Sequence, residues 1–117
     1  MSNSRYEQIF SRQLAEVGLT NFEREVRFNP DTGQRFDFAD KTLKLAIEIE
    51  GSVWRKGRHT FGQGFMDDCD KYNEAALLGW CVLRIPAPWV AELKGKRLIP
   101  NRRGIELAQR AVEVLRD

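Results

Sequence analysis

The sequence predicts a single α/β domain, residues 1–117, with a mixed central sheet flanked by helices and a further helix at the C-terminus. Three observations carry that expectation. Residues 35–38 and 43–50 alternate apolar and polar side chains with the period of a strand. Segments of helical period lie before and after them. The link from the third strand to the fourth runs through one of those helices, which suits a crossover between parallel strands. The expected order is α-β-β-β-α-β-α.

Each element has a local reason. Ser4 suits a helix N-cap, and Glu7 stands three residues on, at the capping-box position. Tyr6, Ile9, Phe10, Leu14 and Val17 recur at helical spacing until Gly18 ends the run. Residues 25–28 read as a short strand. Asn29-Pro30-Asp31-Thr32-Gly33 reads as a turn, because Pro presets φ and Gly admits positive φ. In the next strand Phe36 and Phe38 fall on one face and Asp37 on the other. After a turn near 40–42, Leu43, Leu45, Ile47 and Ile49 share one face, while Lys44, Ala46, Glu48 and Glu50 share its opposite. A glycine-containing loop, 51–64, leads to a helix over 65–78 with the apolar stripe Phe65, Cys69, Tyr72 and Ala76. Gly79 closes it. Residues 80–85 form a strand stopped by Pro86 and Pro88, with Trp80 packed where helix meets strand. The last helix, 104–116, buries Ile105, Ala108, Val112 and Leu115.

The hairpin places three carboxylates, Asp37, Glu48 and Glu50, on its non-aliphatic side. Like charges gathered on a sheet repel, and hard divalent cations such as Mg²⁺ take oxygen ligands of this kind. A solvent-facing hairpin surface is the plain alternative. Register decides how closely the acids meet. A two-residue turn sets Asp37 across from Lys44; a four-residue loop sets it across from Ala46, diagonal to Glu48. Either keeps the acids together, whereas a one-residue slip buries them.

Composition narrows the functional classes. A hydrophobic fraction of 42% and a charged fraction of 31% are those of an ordinary globular chain. No apolar run nears the ~20 residues that span a bilayer, and the polar N-terminus lacks a signal-peptide core. Cys69 and Cys81 are expected as reduced thiols in a cytoplasmic protein. With His59 the lone histidine, a zinc site has too few ligands. The net charge of +2 is too small to argue nucleic-acid binding, but its distribution is uneven. Residues 54–59 are basic without an acid, and Lys94, Lys96, Arg97, Arg102 and Arg103 form a second basic run. These are either solvated surface or phosphate contacts.

Taken in order, these residues resemble the PD-(D/E)XK nuclease superfamily, whose restriction-endonuclease-like core is αβββαβ. The resemblance covers roughly residues 6–85. Within that superfamily, Glu48-Ile49-Glu50-Gly51, Gly57-Arg58-His59, the acids and lysine of 67–71, and Gly79-Trp80-Cys81-Val82-Leu83-Arg84 resemble the small branch of very-short-patch-repair-type and phage-type endonucleases. The resemblance implies Asp37 and Glu48 as metal ligands, with the Ile49 carbonyl and Glu7 joining them. Glu7 has the capping box as its competing explanation. Glu50 departs from the pattern, standing where the family most often has lysine. Lys71 on the second helix could take over the basic role, or simply pair with Asp67 or Asp68 along its own helix. Glu50 could bind a second ion, or the site could be impaired.

What the resemblance implies is a Mg²⁺-dependent endonuclease that hydrolyses DNA phosphodiester bonds, with Mn²⁺ substituting. Asp37, Glu48, Glu50 and Lys71 would be catalytic; Arg58, His59, Lys96, Arg102 and Arg103 would contact nucleic acid. Trp54 either stacks on a base or anchors its loop. The alternatives are a catalytically impaired nucleic-acid-binding or assembly module, and an RNA-directed nuclease of the same fold. With no separate recognition domain expected, a homodimer or a partner protein would supply selectivity, and no membrane is involved.

Overall fold

The computed structural model describes residues 4–51 and 62–117. Helix α1 (Arg5–Glu16) starts where the Ser4 hydroxyl accepts the Glu7 N–H at 3.2 Å. It ends at Val17, and Gly18 follows in the left-handed region (φ 79°) that glycine enters without steric penalty. Strands β1 (Glu23–Arg27), β2 (Arg35–Asp40), β3 (Leu45–Glu50) and β4 (Cys81–Pro86) form one sheet in that order. The first three are antiparallel; β4 lies parallel to β3, reached through α2 (Gln63–Leu77). Helix α3 (Arg103–Arg116) closes the chain.

Two apolar cores sandwich the sheet. Phe10 and Leu14 of α1 and Ile105 and Ala108 of α3 pack on Phe38, Ile47 and Ile85. On the other face Ala75 of α2 joins Val26, Phe28, Phe36, Ala39 and Ala46, with Trp80 and Val82 against them. The α/β architecture expected from the sequence is therefore present.

Five details differ from the expectation. Phe36 and Phe38 do not share a core: Phe38 meets Phe10 edge-on at 5.4 Å, while Phe36 stacks on Phe28 at 4.0 Å and meets Trp80 edge-on at 5.0 Å. Alternation breaks between them at Asp37, where the regular β2–β3 ladder has stopped at Phe38–Ile47 and Glu25, on the neighbouring strand, has φ 51°. The hairpin pairs Asp40 with Leu45, two residues beyond the register that sets Asp37 across from Ala46. Extending it by one step puts Asp37 opposite Glu48 itself. The apolar stripe of α2 is wrong, since Phe65, Cys69 and Ala76 are exposed and Ala75 is its buried residue. Leu115 is exposed, one turn beyond buried Val112. Finally, a 3₁₀ turn (Ala87–Trp89) and a hairpin of β5 (Ala91–Lys94) and β6 (Arg97–Pro100) occupy the stretch before α3 that the sequence left without structure.

That last stretch is held against the main sheet by a close approach. A Cβ on Gly104 would lie 3.0 Å from the Ile85 side chain and 3.2 Å from the Trp89 carbonyl, so the start of α3 abuts the end of β4.

Candidate active site

At the β2–β3 junction two acids replace the missing ladder partners. Asp37 donates its backbone N–H to Glu48 Oε2 at 2.8 Å, and Asp37 Oδ2 accepts the Ile49 N–H at 2.8 Å. The two side chains are thus fixed by the backbone of the opposite strand, a stiffer anchor than another flexible side chain. Glu48 is 7% exposed, which removes the solvent-facing reading for it.

Helix α1 contributes Glu7. Its backbone serves the Ser4 cap, and its carboxylate points away from that cap, accepting Arg24 Nη2 at 2.7 Å. The Ser4 cap is therefore present through the Glu7 backbone, while the Glu7 carboxylate, which a capping box would turn back to Ser4, pairs with Arg24. Carboxylate oxygens of Glu7, Glu25 and Asp37 lie within 4.8 Å of one another. Glu25 carries no local pattern that marks it for this cluster, and its backbone lies in the left-handed region (φ 51°). Positive φ at a non-glycine residue is the kind of strain that survives where a site depends on it.

The electrostatics match a gathering of acids short of positive charge. Burial, then the negative charge of Glu48, pushes the Asp37 carboxyl up to about 7, against the pull of the Ile49 N–H. Burial likewise raises Glu7, with Arg24 opposing it. An all-oxygen, anionic donor set of this size suits a hard divalent cation, so the residues present fit such an ion.

Helix α2 supplies a cation and a hydroxyl on the other side, and β4 a second cation. Lys71 Nζ lies 2.6 Å from Glu48 Oε1, reaching across to the hairpin, while Asp67 accepts Gln63 Nε2 at 2.8 Å. Of the two arrangements open for Lys71, the structure shows the one directed at the hairpin acids. Tyr72, expected in the core stripe, instead sets its hydroxyl 3.0 Å from Glu48 Oε1 and 3.3 Å from Glu50 Oε2. Burial and the two flanking carboxylates raise its pKa, so it stays a hydrogen-bond donor. Glu50 accepts Arg84 Nε at 2.9 Å, which raises the Arg84 pKa.

Glu48 pairs with Arg84 and Glu50 with Pro86 in the parallel register, so the acids lie at the end of the sheet where β4 leaves for the basic segment. Lys96 occupies the exposed turn between β5 and β6. Arg102 pairs with Glu106 at 3.6 Å, and the Arg103 guanidinium lies 3.6 Å from the Trp89 ring centroid. Trp54, Arg58 and His59 lie outside the described residues.

Comparison with known proteins returns no matching family model and no match among curated proteins. Among solved structures, the catalytic domain of the homing endonuclease I-Bth0305I matches with a TM-score of 0.61 and 18% identity, over 97% of this chain and 94% of that one. The two share a fold. At that identity the match speaks for architecture alone. No helix among the described residues is long and apolar enough to cross a membrane.

Proposed function

We propose that this chain is a metal-dependent endonuclease of the PD-(D/E)XK type that hydrolyses DNA phosphodiester bonds, within the small branch of very-short-patch-repair-type and phage-type enzymes. The observation that carries the reading is the juxtaposition of Asp37 and Glu48, each held by the other strand's backbone, with Glu7 and Glu25 on one side and the Lys71 ammonium on the other. Fold similarity to a homing endonuclease catalytic domain supports it.

Glu7, Glu25 and Asp37 would hold Mg²⁺, or Mn²⁺ in its place, with Glu48 and the Ile49 carbonyl adjoining. Bound there, the ion would offset phosphate charge and acidify a water for attack. Lys71 contributes a fixed positive charge beside the acids, suited to gripping a phosphate oxygen as negative charge develops on it. The basic residues after β4 would track the substrate backbone, and a dimer or partner would add selectivity.

The test is nicking of supercoiled plasmid by the full chain with Mg²⁺ or Mn²⁺, against EDTA and against Asp37→Ala. Metal-dependent nicking lost in the variant is the expected result. Equal nicking by both proteins would move the site elsewhere. Cleavage of single-stranded RNA with none of DNA would shift the substrate to RNA.

A further inference from the structure

Glu50 is two residues from Glu48 and points to the same side of β3, so both carboxylates face one region of α2. Tyr72 stands between them. A phenol has one proton and donates to one carboxylate at a time; the shorter distance gives it to Glu48, with Glu50 as the alternate acceptor. Two carboxylates within 3.3 Å of one hydroxyl repel unless one is neutralised. Arg84, on the neighbouring strand, does this. Its Nε donates to Glu50 Oε2 at 2.9 Å, its Nη2 reaches Asp68 Oδ2 at 3.5 Å, and its guanidinium carbon lies 4.4 Å from the Tyr72 ring centroid. One arginine thus balances Glu50 and covers the face of the ring whose hydroxyl meets Glu48. Glu48 Oε1 then has two donors, Lys71 and Tyr72, and Oε2 has the Asp37 N–H.

We propose that Glu50 is the counter-ion of Arg84 and no cation ligand, and that this pair seats Tyr72 as a positioning residue whose hydroxyl fixes the Glu48 carboxylate beside Lys71. The inference rests on the nuclease reading for its catalytic consequence. It assigns Glu50, which stands where a motif lysine would, a structural charge in place of a second metal site.

Groups that orient a ligand or catalytic carboxylate without touching substrate typically change activity by about 10- to 100-fold when removed. Tyr72→Phe keeps the ring under Arg84 and deletes only the hydroxyl. It should lower plasmid-nicking turnover at saturating Mn²⁺ by about that factor, with Mn²⁺ affinity by calorimetry and melting temperature close to wild type. Arg84→Lys, which keeps the charge but loses the planar stack, should show a smaller loss of the same kind. Glu50→Gln retains acceptors for Arg84 and Tyr72 and should bind Mn²⁺ with wild-type stoichiometry and affinity.

Wild-type turnover in both Tyr72→Phe and Arg84→Lys overturns the positioning role. A lost Mn²⁺ equivalent, or an affinity weakened about tenfold or more, in Glu50→Gln makes Glu50 a ligand and overturns the assignment. A wild-type chain that binds Mn²⁺ and cuts neither DNA nor RNA overturns the nuclease reading and the catalytic half of the proposal, while the calorimetry still decides whether Glu50 is a ligand.

Discussion

Lys71 Nζ lies 2.6 Å from Glu48 Oε1, joining the middle of α2 to the buried end of β3. The pair is shielded from water on both sides, with Glu48 buried and Lys71 20% exposed along its side chain. A shielded pair loses more when one member is deleted than an exposed pair does, because the survivor keeps an unbalanced charge.

Lys71→Met keeps the stem of the side chain and removes the charge. Turnover should fall roughly a hundredfold or more if the ammonium acts on the reacting phosphate. Metal affinity should stay near wild type, since a cation is no ligand. Stability should drop by about 1–3 kcal/mol, as Glu48 then keeps, among the described residues, Tyr72 and the Asp37 N–H. Steady-state nicking, Mn²⁺ calorimetry and urea unfolding separate the three effects. Unchanged turnover with reduced stability would make the pair purely structural.

Asp37 gives the pH dependence its sign. Its pKa rises from 3.8 to about 7 on folding, so between those values the folded chain keeps a proton that the unfolded chain has released. Metal-free stability should therefore fall as pH rises through that window and level off above it. Asp37→Asn, which retains an acceptor for the Ile49 N–H, should remove this slope. It should melt higher than wild type at pH 8 in EDTA and much closer to it at pH 4. Proton and cation compete for the same oxygens, so wild-type Mn²⁺ affinity should climb as pH passes about 7. A flat affinity between pH 6 and 8 would remove Asp37 from the cation set.

The basic segment makes a salt-dependent prediction. Neutralising Lys96 and Arg102 together should weaken DNA binding and reduce the slope of log affinity against log salt by about 2. Arg103→Ala should additionally lose its contact with Trp89, about 0.5–1 kcal/mol of folding stability for an exposed cation–π pair. Fluorescence anisotropy across a salt series measures the first effect, and thermal melting the second. An unchanged slope in the double variant would leave this surface outside the interface.

Most of the architecture was readable because α1, β3, β4 and α3 each carry a clear period and a chemical stop. Alternation correctly placed Glu48 and Glu50 toward one side of the hairpin. It fixes parity, however, and leaves the step of the register open, so direct opposition of Asp37 and Glu48 was beyond it. It also assumes an unbroken strand, and that assumption failed at Phe36 and Phe38, where the chain switches cores across Asp37. The β5–β6 hairpin was hidden because Lys94 to Arg97 reads only as charge. Tyr72 looked like one more apolar helix position; its hydroxyl acquires meaning once Glu48 and Glu50 face it from another element. Glu25 had no local mark at all.

Glu25 offers a test in which stability and binding move in opposite directions. The left-handed backbone at φ 51° disfavours any residue with a Cβ by roughly 1–2 kcal/mol, and its carboxylate crowds those of Glu7 and Asp37. Both Glu25→Gly and Glu25→Ala remove the crowding carboxylate, and Glu25→Gly alone also relieves the backbone strain. Both variants should bind Mn²⁺ more weakly than wild type, and the glycine variant should melt above the alanine variant in metal-free buffer. Wild-type Mn²⁺ affinity in both would confine the cation to Glu7, Asp37 and their neighbours on β3. An alanine variant as stable as the glycine variant would mean that the backbone leaves the left-handed region once the carboxylate is gone. In that case contacts of the Glu25 side chain, and not the β1–β2 pairing, hold it in its strained conformation.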